Sequence, residues 1–587
     1  MESGAKPAYL RVENQPLLMT DSEVRQMNLG RSARENRGAI LSTVAGGERP
    51  LRQVVTLAFL DGRIPDSLTG EELARSLCAE TEASVVLVRL ERQNGAGGTE
   101  DAAQSEPYLN GEFHMPPEVR KADAGFHSLA LGVRSDPPTP AGIASLVGQL
   151  SRHFRYVLIE TQVDSPPAPW LFELLRHSDL AYLFLKATTE QIHQLDLVMR
   201  EARAQCGNSG VQVKPVVCMA EGERIDGFDS VIDRVAGPAH WFLRGCPRTD
   251  GPKEAMPQTA PPGLFQADLR RLARDIGGRL IGLALSSGAA KGFAHIGVIQ
   301  VLEENGIEVD VVAGTSMGSY VGSLWAYGCD GRELERLARE LETRWALWSL
   351  VDPAFPPRRG FLRGFAVKKR LMRTYSHARF ADMARPLRII AANLATLERV
   401  VFSSGEVATA VHASSAVPGI CVPVTIDGEI YTDGGIVDPL PVDVLREMGA
   451  AKIIAVNVIP PPDRIRRGIE MELARRKGAN GHKLFHKPLP ANAQISYFAR
   501  GNLVEILMRS VHSGQIRMAE ASSRQADLVL RPEIYDDRWL DYRHPGKFIA
   551  LGRQAAEQHL EEIKSLVAGK EAGHEPKLAP EPVAAID

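Results

Sequence analysis

Along residues 51–265, short runs of apolar and β-branched residues alternate with stretches whose apolar positions recur every three or four residues. The runs are Gln53–Leu60, Ser84–Leu90, Tyr156–Glu160, Leu180–Leu185 and Val211–Cys218, and the helical stretches fall near 70–79, 141–153, 189–205 and 224–235. Strands that are apolar throughout are those covered on both faces, so the alternation predicts a doubly wound parallel α/β domain. Residues 92–140, rich in Gly, Pro, Asp and Glu, read as a long mobile insertion. Gly251–Gly263 carries four prolines and reads as a linker.

A second α/β pattern follows. Leu280–Leu285 is a buried strand, Ser286–Gly292 a loop of small residues, and an apolar helix then runs through Leu302. Val309–Val312 is another strand, turned sharply by Gly314-Thr315-Ser316-Met317-Gly318 into an apolar helix reaching about Tyr327. Further on come a strand at Leu387–Asn393, a helix ending in a proline turn at His412–Gly419, and an acid in a tight turn at Tyr431–Gly435. Strands at Lys452–Val458 and Asp527–Leu530 and an amphipathic helix at Phe548–Leu566 close the pattern. The resulting division is a flexible segment at 1–36, a first α/β domain at 37–265, a second at 275–567, and a disordered tail at 568–587 whose composition is Pro, Glu, Lys and Ala.

Composition narrows the function. With 44% hydrophobic and 24% charged residues the chain has a globular make-up, and a net charge of -3 gives no global field that would favour nucleic acid. The six cysteines form no C-x-x-C pair, which suits reduced thiols in a cytoplasmic protein and proposes neither zinc nor a disulfide. The N-terminus lacks the apolar core of a signal peptide. The longest uncharged stretch, Val311–Cys329, contains glycines, serines and the elbow, and so reads as a buried turn and helix; membrane contact is expected to be peripheral.

The chemistry is expected at the glycine-flanked turns. Ser316 sits at the tip of a strand-to-helix elbow, where a helix N-terminus favours developing negative charge; that is the geometry of an acyl-transfer nucleophile. The small-residue loop at 286–292 exposes backbone N–H groups that can cradle a phosphate or an oxyanion. In the first domain, Phe154–Glu160 with Ser178–Leu185 looks like the middle of a partition-ATPase P-loop domain. The loop Asp61–Gly70 nevertheless has no Gly-Lys-Ser/Thr, so the domain is expected to be a degenerate scaffold or docking unit with no bound nucleotide.

Three motifs therefore stand in order over 150 residues: Ser286–Gly292, Gly314–Gly318 and Asp433-Gly434-Gly435. Together with His295-Ile296-Gly297-Val298, Ala413–Gly419 and Asp438–Val442, they resemble the patatin-like phospholipase family over roughly Arg279–Leu566. The region before them is similar to the degenerate domain of neuropathy-target-esterase-like lysophospholipases, without the cyclic-nucleotide-binding domains those proteins usually carry. The resemblance implies a three-layer α/β hydrolase core with a mostly parallel sheet. It also implies a Ser316/Asp433 dyad without a cofactor or metal, and an oxyanion hole from the amides of Gly288, Ala289 and Ala290. Lys291, Gly292, Gly314, Gly318, Gly434 and Gly435 support these motifs, Lys291 either capping its loop or meeting phosphate. Many family members have three successive glycines where this chain reads Gly288-Ala289-Ala290, which leaves the oxyanion geometry open.

A carboxylate desolvated beside the hydroxyl can serve as base without histidine, so His295 and His412 are not required, and Asp438, ahead of a proline, reads as structural. The implied function is hydrolysis of phospholipid or lysophospholipid esters; the alternative is a catalytically silent lipid-binding or docking protein. Two segments bear on a membrane surface. Between Trp345 and Arg373, Trp345, Trp348, Phe355, Phe361, Leu362 and Phe365 interleave with Arg358, Arg359, Arg363, Lys368, Lys369, Arg370 and Arg373. Between Arg464 and Lys487 eight basic residues face only Glu470 and Glu472.

Overall fold

The computed structural model describes residues 52–60, 66–92, 120–133, 138–246, 263–343, 351–460, 503–534 and 541–568, apart from 123–124, 208, most of 221–239, and 357–358. The expected N-terminal segment, the linker at 251–263 except Gly263, most of the helix at 224–235, the basic stretch at 464–487 and the tail beyond 568 lie outside the described residues.

The first run of strands is β1 (Gln53–Phe59), β2 (Val85–Arg92), β3 (Arg120–Lys121), β4 (His127–Val133), β5 (Tyr156–Gln162), β6 (Leu180–Lys186), β7 (Gln212–Ala220) and β8 (Trp241–Cys246). They form one sheet in the order β3-β4-β2-β5-β1-β6-β7-β8, parallel except for the two-residue β3. Its helices are α1 (Asp66–Thr81), α2 (Pro140–His153), α3 (Pro169–Arg176) and α4 (Thr189–Cys206). Val86, Val88, Val157 and Ile159 meet Ile143, Leu146 and Leu150 of α2 on one face, while Leu57, Leu87 and Leu158 meet Leu73 and Leu77 of α1 on the other. Both faces are thus covered, which is why these strands read as unbroken apolar runs.

Two features differ from expectation. The stretch read as an insertion contains β4, a seven-residue strand parallel to β2, because His127–Val133 is too short for its pattern to outweigh the Gly- and Pro-rich residues before it. Helix α3 lies where no helix was expected: Pro169 occupies its first turn, where the missing N–H has no helical partner to lose.

The second sheet contains β9 (Ile281–Leu285), β10 (Val311–Thr315), β11 (Leu387–Asn393), β12 (Arg399–Phe402), β13 (Val424–Ile426), β14 (Glu429–Asp433), β15 (Lys452–Val456) and β16 (Leu528–Leu530). Its order is β13-β14-β11-β10-β9-β15-β16. Strands β11, β10, β9, β15 and β16 are parallel, and β12, β13 and β14 run antiparallel at one side. The accompanying helices are α5 (Leu264–Ile276), α6 (Ala294–Glu304), α7 (Met317–Tyr327), α8 (Gly331–Arg339), α9 (Phe365–Tyr375), α10 (Val407–Ser414), α11 (Val442–Glu447), α12 (Leu503–Ser523), α13 (Pro545–Gln558) and α14 (Leu560–Val567). The single closing helix expected at 548–566 is α13 and α14, separated at His559, whose ring bonds the Ala555 carbonyl at 2.9 Å.

Alternation along the strands sorts the layers. Leu283, Leu285, Val312, Ile454 and Val456 pack with α6, α7 and α13, whereas Ala284, Val311, Ala313, Ile453 and Ala455 pack with α5 and α11. Leu269, Leu272, Ala273 and Ile276 of α5 belong to the same cluster as Leu57, Leu158 and Tyr182 of the first sheet. Helix α5 is therefore a layer shared by both sheets. Polar contacts fix it there: Asp275 Oδ2 accepts from Lys214 Nζ at 2.6 Å and from the Tyr182 hydroxyl at 2.7 Å, and Lys214 also reaches the Met448 carbonyl at 3.3 Å. Asp268 takes the Arg244 guanidinium through Oδ2 at 2.8 Å and Oδ1 at 2.6 Å.

Candidate active site

Strand β10 ends at Thr315, and the chain turns into α7 through Ser316 with φ 55° and ψ -119°. A side-chain-bearing residue held in this region costs on the order of 1–3 kcal/mol, so the surroundings must hold it. They do so through hydroxyls and close backbone approach. The Ser316 amide donates to Ser414 Oγ at 2.9 Å, Ser319 Oγ donates to the Ser316 carbonyl at 2.6 Å, and Thr315 Oγ1 donates to the Asp438 carbonyl at 2.8 Å. A Cβ on Gly314 would lie 2.5 Å from the Gly318 carbonyl oxygen, and one on Gly318 would lie 2.2 Å from that of Leu285. Both glycines are there because backbone passes where a side chain would be.

Asp433 closes β14, paired with Ala391 of β11. Its Oδ2 accepts from the Ser316 hydroxyl at 2.6 Å, and its Oδ1 accepts from the Gly435 amide at 2.7 Å. Both side chains are buried, Ser316 at 7% exposure and Asp433 at 4%. Burial raises the Asp433 pKa to about 6 against the lowering effect of the two hydrogen bonds. At neutral pH the group is thus an ionised carboxylate with a raised affinity for a proton, in contact with the hydroxyl it would deprotonate.

Strand β9 lies beside β10, and the loop that follows it stands next to the elbow. Gly288, Ala289 and Ala290 lead into the short turn Ala289–Phe293, whose first amides have no acceptor within the turn. A Cβ on Gly288 would lie 2.3 Å from Val458 Cγ2, and one on Gly292 would lie 2.5 Å from Met317 Cγ, so the loop is pressed between β15's end and the elbow. Ala289 has φ 48°, a left-handed conformation at one of the positions where this sequence departs from consecutive glycines. Lys291 is buried. A Cβ on Gly434 would meet the Ile390 carbonyl at 2.3 Å, which closes the Asp433 turn onto β11. The geometry thus brings the residues singled out at 286–292, 314–318 and 433–435 together at adjacent strand ends.

The two histidines are engaged elsewhere. His295 is fully buried and donates from Nε2 to the Ser286 carbonyl at 2.9 Å; burial lowers its pKa to about 4. His412 bonds the Arg363 carbonyl at 3.1 Å and packs against Phe365. Asp438 accepts from Arg399 at 2.9 Å. Ser414, which holds the elbow amide, is a site residue that sequence reasoning did not single out; the motif at 413–419 pointed to its segment but not to its hydroxyl. Among the described residues no cluster of three His, Cys, Asp or Glu side chains could hold a metal.

The basic and aromatic segment is only partly a free surface. Arg370 is tied to the Leu337 carbonyl at 2.5 Å and to Glu340 at 2.8 Å, and Lys368 to Glu406 at 2.6 Å. Phe355 and Phe365 are 90% and 61% exposed, and Arg359, Arg363, Lys369 and Arg373 also face solvent. Trp345, Trp348 and Arg358 lie outside the described residues, and among the described residues no helix is long and apolar enough to cross a membrane.

Residues 283–446 match the family model described as patatin-like phospholipase. The lysophospholipase nte1 of Aspergillus fumigatus is 34% identical over 195 residues, covering 33% of this chain and 13% of that protein. The lysophospholipase NTE1 of Saccharomyces cerevisiae is 31% identical over 284 residues, covering 47% of this chain and 16% of that protein. The chain thus spans only a small part of the length of the curated relatives it matches. A ParA family ATPase from Chlorobium tepidum is 12% identical, with 38% of this chain and 97% of that chain covered at a TM-score of 0.28, too low to add to the strand order described above. The small-residue loop, the serine elbow and the Asp-Gly-Gly turn all fall inside the stretch of this chain that is similar to patatin-like phospholipases.

Proposed function

We propose that the chain is a serine acyl hydrolase that cleaves carboxylic ester bonds of lysophospholipids or phospholipids through Ser316 and Asp433. The observation that carries the reading is the 2.6 Å hydrogen bond from the Ser316 hydroxyl to a buried carboxylate at a strained elbow. Ser316 Oγ attacks the ester carbonyl as its proton passes to Asp433, and the amides of Gly288, Ala289 and Ala290 stabilise the oxyanion. Collapse of the intermediate expels the alcohol, which takes the proton from Asp433; water then releases the fatty acid by the same steps in reverse. The low proton affinity of His295 and its bond to the Ser286 carbonyl suit it to supporting the loop rather than to acting as base. The exposed Phe355 and Phe365 beside Arg359, Arg363, Lys369 and Arg373 suit a peripheral contact with an anionic lipid surface.

A fluorophosphonate probe tests the nucleophile. Folded wild type should be labelled and should release fatty acid from lysophospholipid micelles, and folded Ser316→Ala should do neither. Equal labelling of the two proteins would leave a silent lipid-binding protein as the better reading.

A further inference from the structure

Residues 437–441 carry the chain from the Asp433 turn to α11 without regular structure, yet Asp438 and Pro439 hydrogen-bond all three motif segments. Thr315, one residue before the nucleophile, donates from Oγ1 to the Asp438 carbonyl at 2.8 Å. The Asp438 amide donates at 2.9 Å to the carbonyl of Gly434, one residue after the base. The amide of Ser287, one residue before the first oxyanion donor, donates to the Pro439 carbonyl at 2.9 Å. The proline ring fixes one of the two dihedrals between the Asp438 and Pro439 carbonyls. The Asp438 side chain is anchored from outside the motifs. It is 6% exposed, where a carboxylate needs a partner, and Arg399 Nη1 on β12 donates to its Oδ2 at 2.9 Å. The same nitrogen donates to Asp443 Oδ2 of α11 at 2.6 Å.

From this geometry we infer that Asp438, anchored by Arg399, is a positioning residue that sets the spacing between the Ser316 hydroxyl, the Asp433 carboxylate and the oxyanion amides. This role presupposes the acyl-hydrolase reading above, whose groups it aligns. The three segments leave different strands, β10, β14 and β9, and β14 reaches β10 only through β11. Sheet pairing therefore aligns the strands, while the turns beyond their ends depend on contacts with one another. Asp438–Pro439 supplies such a contact to each turn, one residue away from each reacting group. Without Arg399 the Asp438 side chain loses the donor that holds it, and the unit it belongs to can shift. A displacement of about 1 Å in a reacting group costs on the order of a hundredfold in rate. An ion pair that served stability alone would instead lower the unfolding midpoint and leave the rate of the folded enzyme as it was.

Asp438→Ala and Arg399→Met, made separately in the full chain, remove the anchor from its two ends and leave the main-chain partners in place. The readouts on folded protein are kcat and KM for a nitrophenyl ester, the rate of fluorophosphonate labelling, and the denaturant midpoint. Each variant should lower kcat by about tenfold to a hundredfold with KM within about twofold of wild type, the split expected when reacting groups are misaligned and binding is not. Labelling should slow in proportion, because it draws on the same nucleophile, base and donors. Asp438→Asn keeps an acceptor for Arg399 and should return kcat to within about threefold of wild type. Asp443→Asn, which alters the other acid on Arg399, should leave kcat within about twofold. A lowered midpoint with kcat within about twofold of wild type in Asp438→Ala or Arg399→Met would overturn the inference. So would an equal loss in Asp443→Asn, which would tie the rate to the charge cluster rather than to Asp438. Either of the first two variants suffices if the other does not fold. If neither folds, Arg399→Lys decides by the same criterion, since an ammonium cannot hold the two acids with the geometry of the guanidinium. Labelling of Ser316→Ala equal to that of wild type would be a different failure, that of the hydrolase reading itself.

Discussion

Replacing Asp433 with asparagine should separate catalysis from stability, and the size of the second effect should depend on pH. An unfolded aspartate titrates at 3.8, whereas burial raises the folded group to about 6. Below about 4 both states are protonated and burial carries no charge penalty. Between these values the folded state holds a proton that the unfolded state has released, so the penalty grows with pH. Above about 6 it is complete, and roughly two pH units at about 1.4 kcal/mol each come to about 3 kcal/mol. Asparagine removes this cost, but it can offer an acceptor to only one of the Ser316 hydroxyl and the Gly435 amide, which offsets about 1–2 kcal/mol. The variant should therefore be more stable than wild type at pH 8 by about 1–2 kcal/mol and should lose that advantage as pH falls to 4. Turnover should meanwhile fall by about 10²–10⁴-fold, as befits a lost general base. Denaturant unfolding of both proteins at pH 4 and pH 8, with ester hydrolysis measured alongside, checks both claims. A stability difference unchanged between the two pH values would refute the account of a desolvated carboxylate, and activity within about tenfold of wild type would refute its role as base.

For wild type, kcat/KM should rise with pH and level off above about 6 as Asp433 loses its proton, a profile that a nitrophenyl ester would record and that a base of ordinary carboxylate pKa would place lower. Gly318→Ala should abolish both activity and soluble folding, since its Cβ would meet the Leu285 carbonyl at 2.2 Å; expression and probe labelling check this. Lys214→Met should destabilise the chain by about 3–5 kcal/mol by stranding Asp275, whereas adding Asp275→Leu and Tyr182→Phe, which removes the charge and the hydroxyl that bonds it, should recover most of that loss, as read by denaturant midpoints. Phe355→Ser with Phe365→Ser should weaken hydrolysis of anionic vesicles while sparing a soluble ester; equal losses on both would assign these side chains to the site interior.

Much of the fold is local and was legible in the chain. Apolar and β-branched runs such as Val54–Leu57 and Leu180–Leu185 became strands because both faces of a parallel sheet are buried, and the glycines at 314 and 318 marked a turn that only backbone could pass. Other elements were obscured by their neighbours: β4 is short and follows Gly- and Pro-rich sequence, and α3 begins on a proline that reads equally as a stop. The candidate nucleophile, its aspartate and the small-residue loop could be named as types in order, because each carries its own turn signature. Their meeting was not local. Ser316 and Asp433 are 117 residues apart and touch because β9, β10, β11 and β14 lie side by side. The same sheet order put Ser414 on the elbow amide and left His295 and His412 on carbonyls, although polarity alone would have admitted either histidine to the site. The sequence by itself determined which segments are strands, helices and sharp turns, because those depend on side-chain size, branching and burial period over a few residues. Strand order, the layer α5 shares between the sheets, and the company Asp433 keeps were decided by tertiary packing, because they follow from which buried faces fit together across distances the local pattern does not encode.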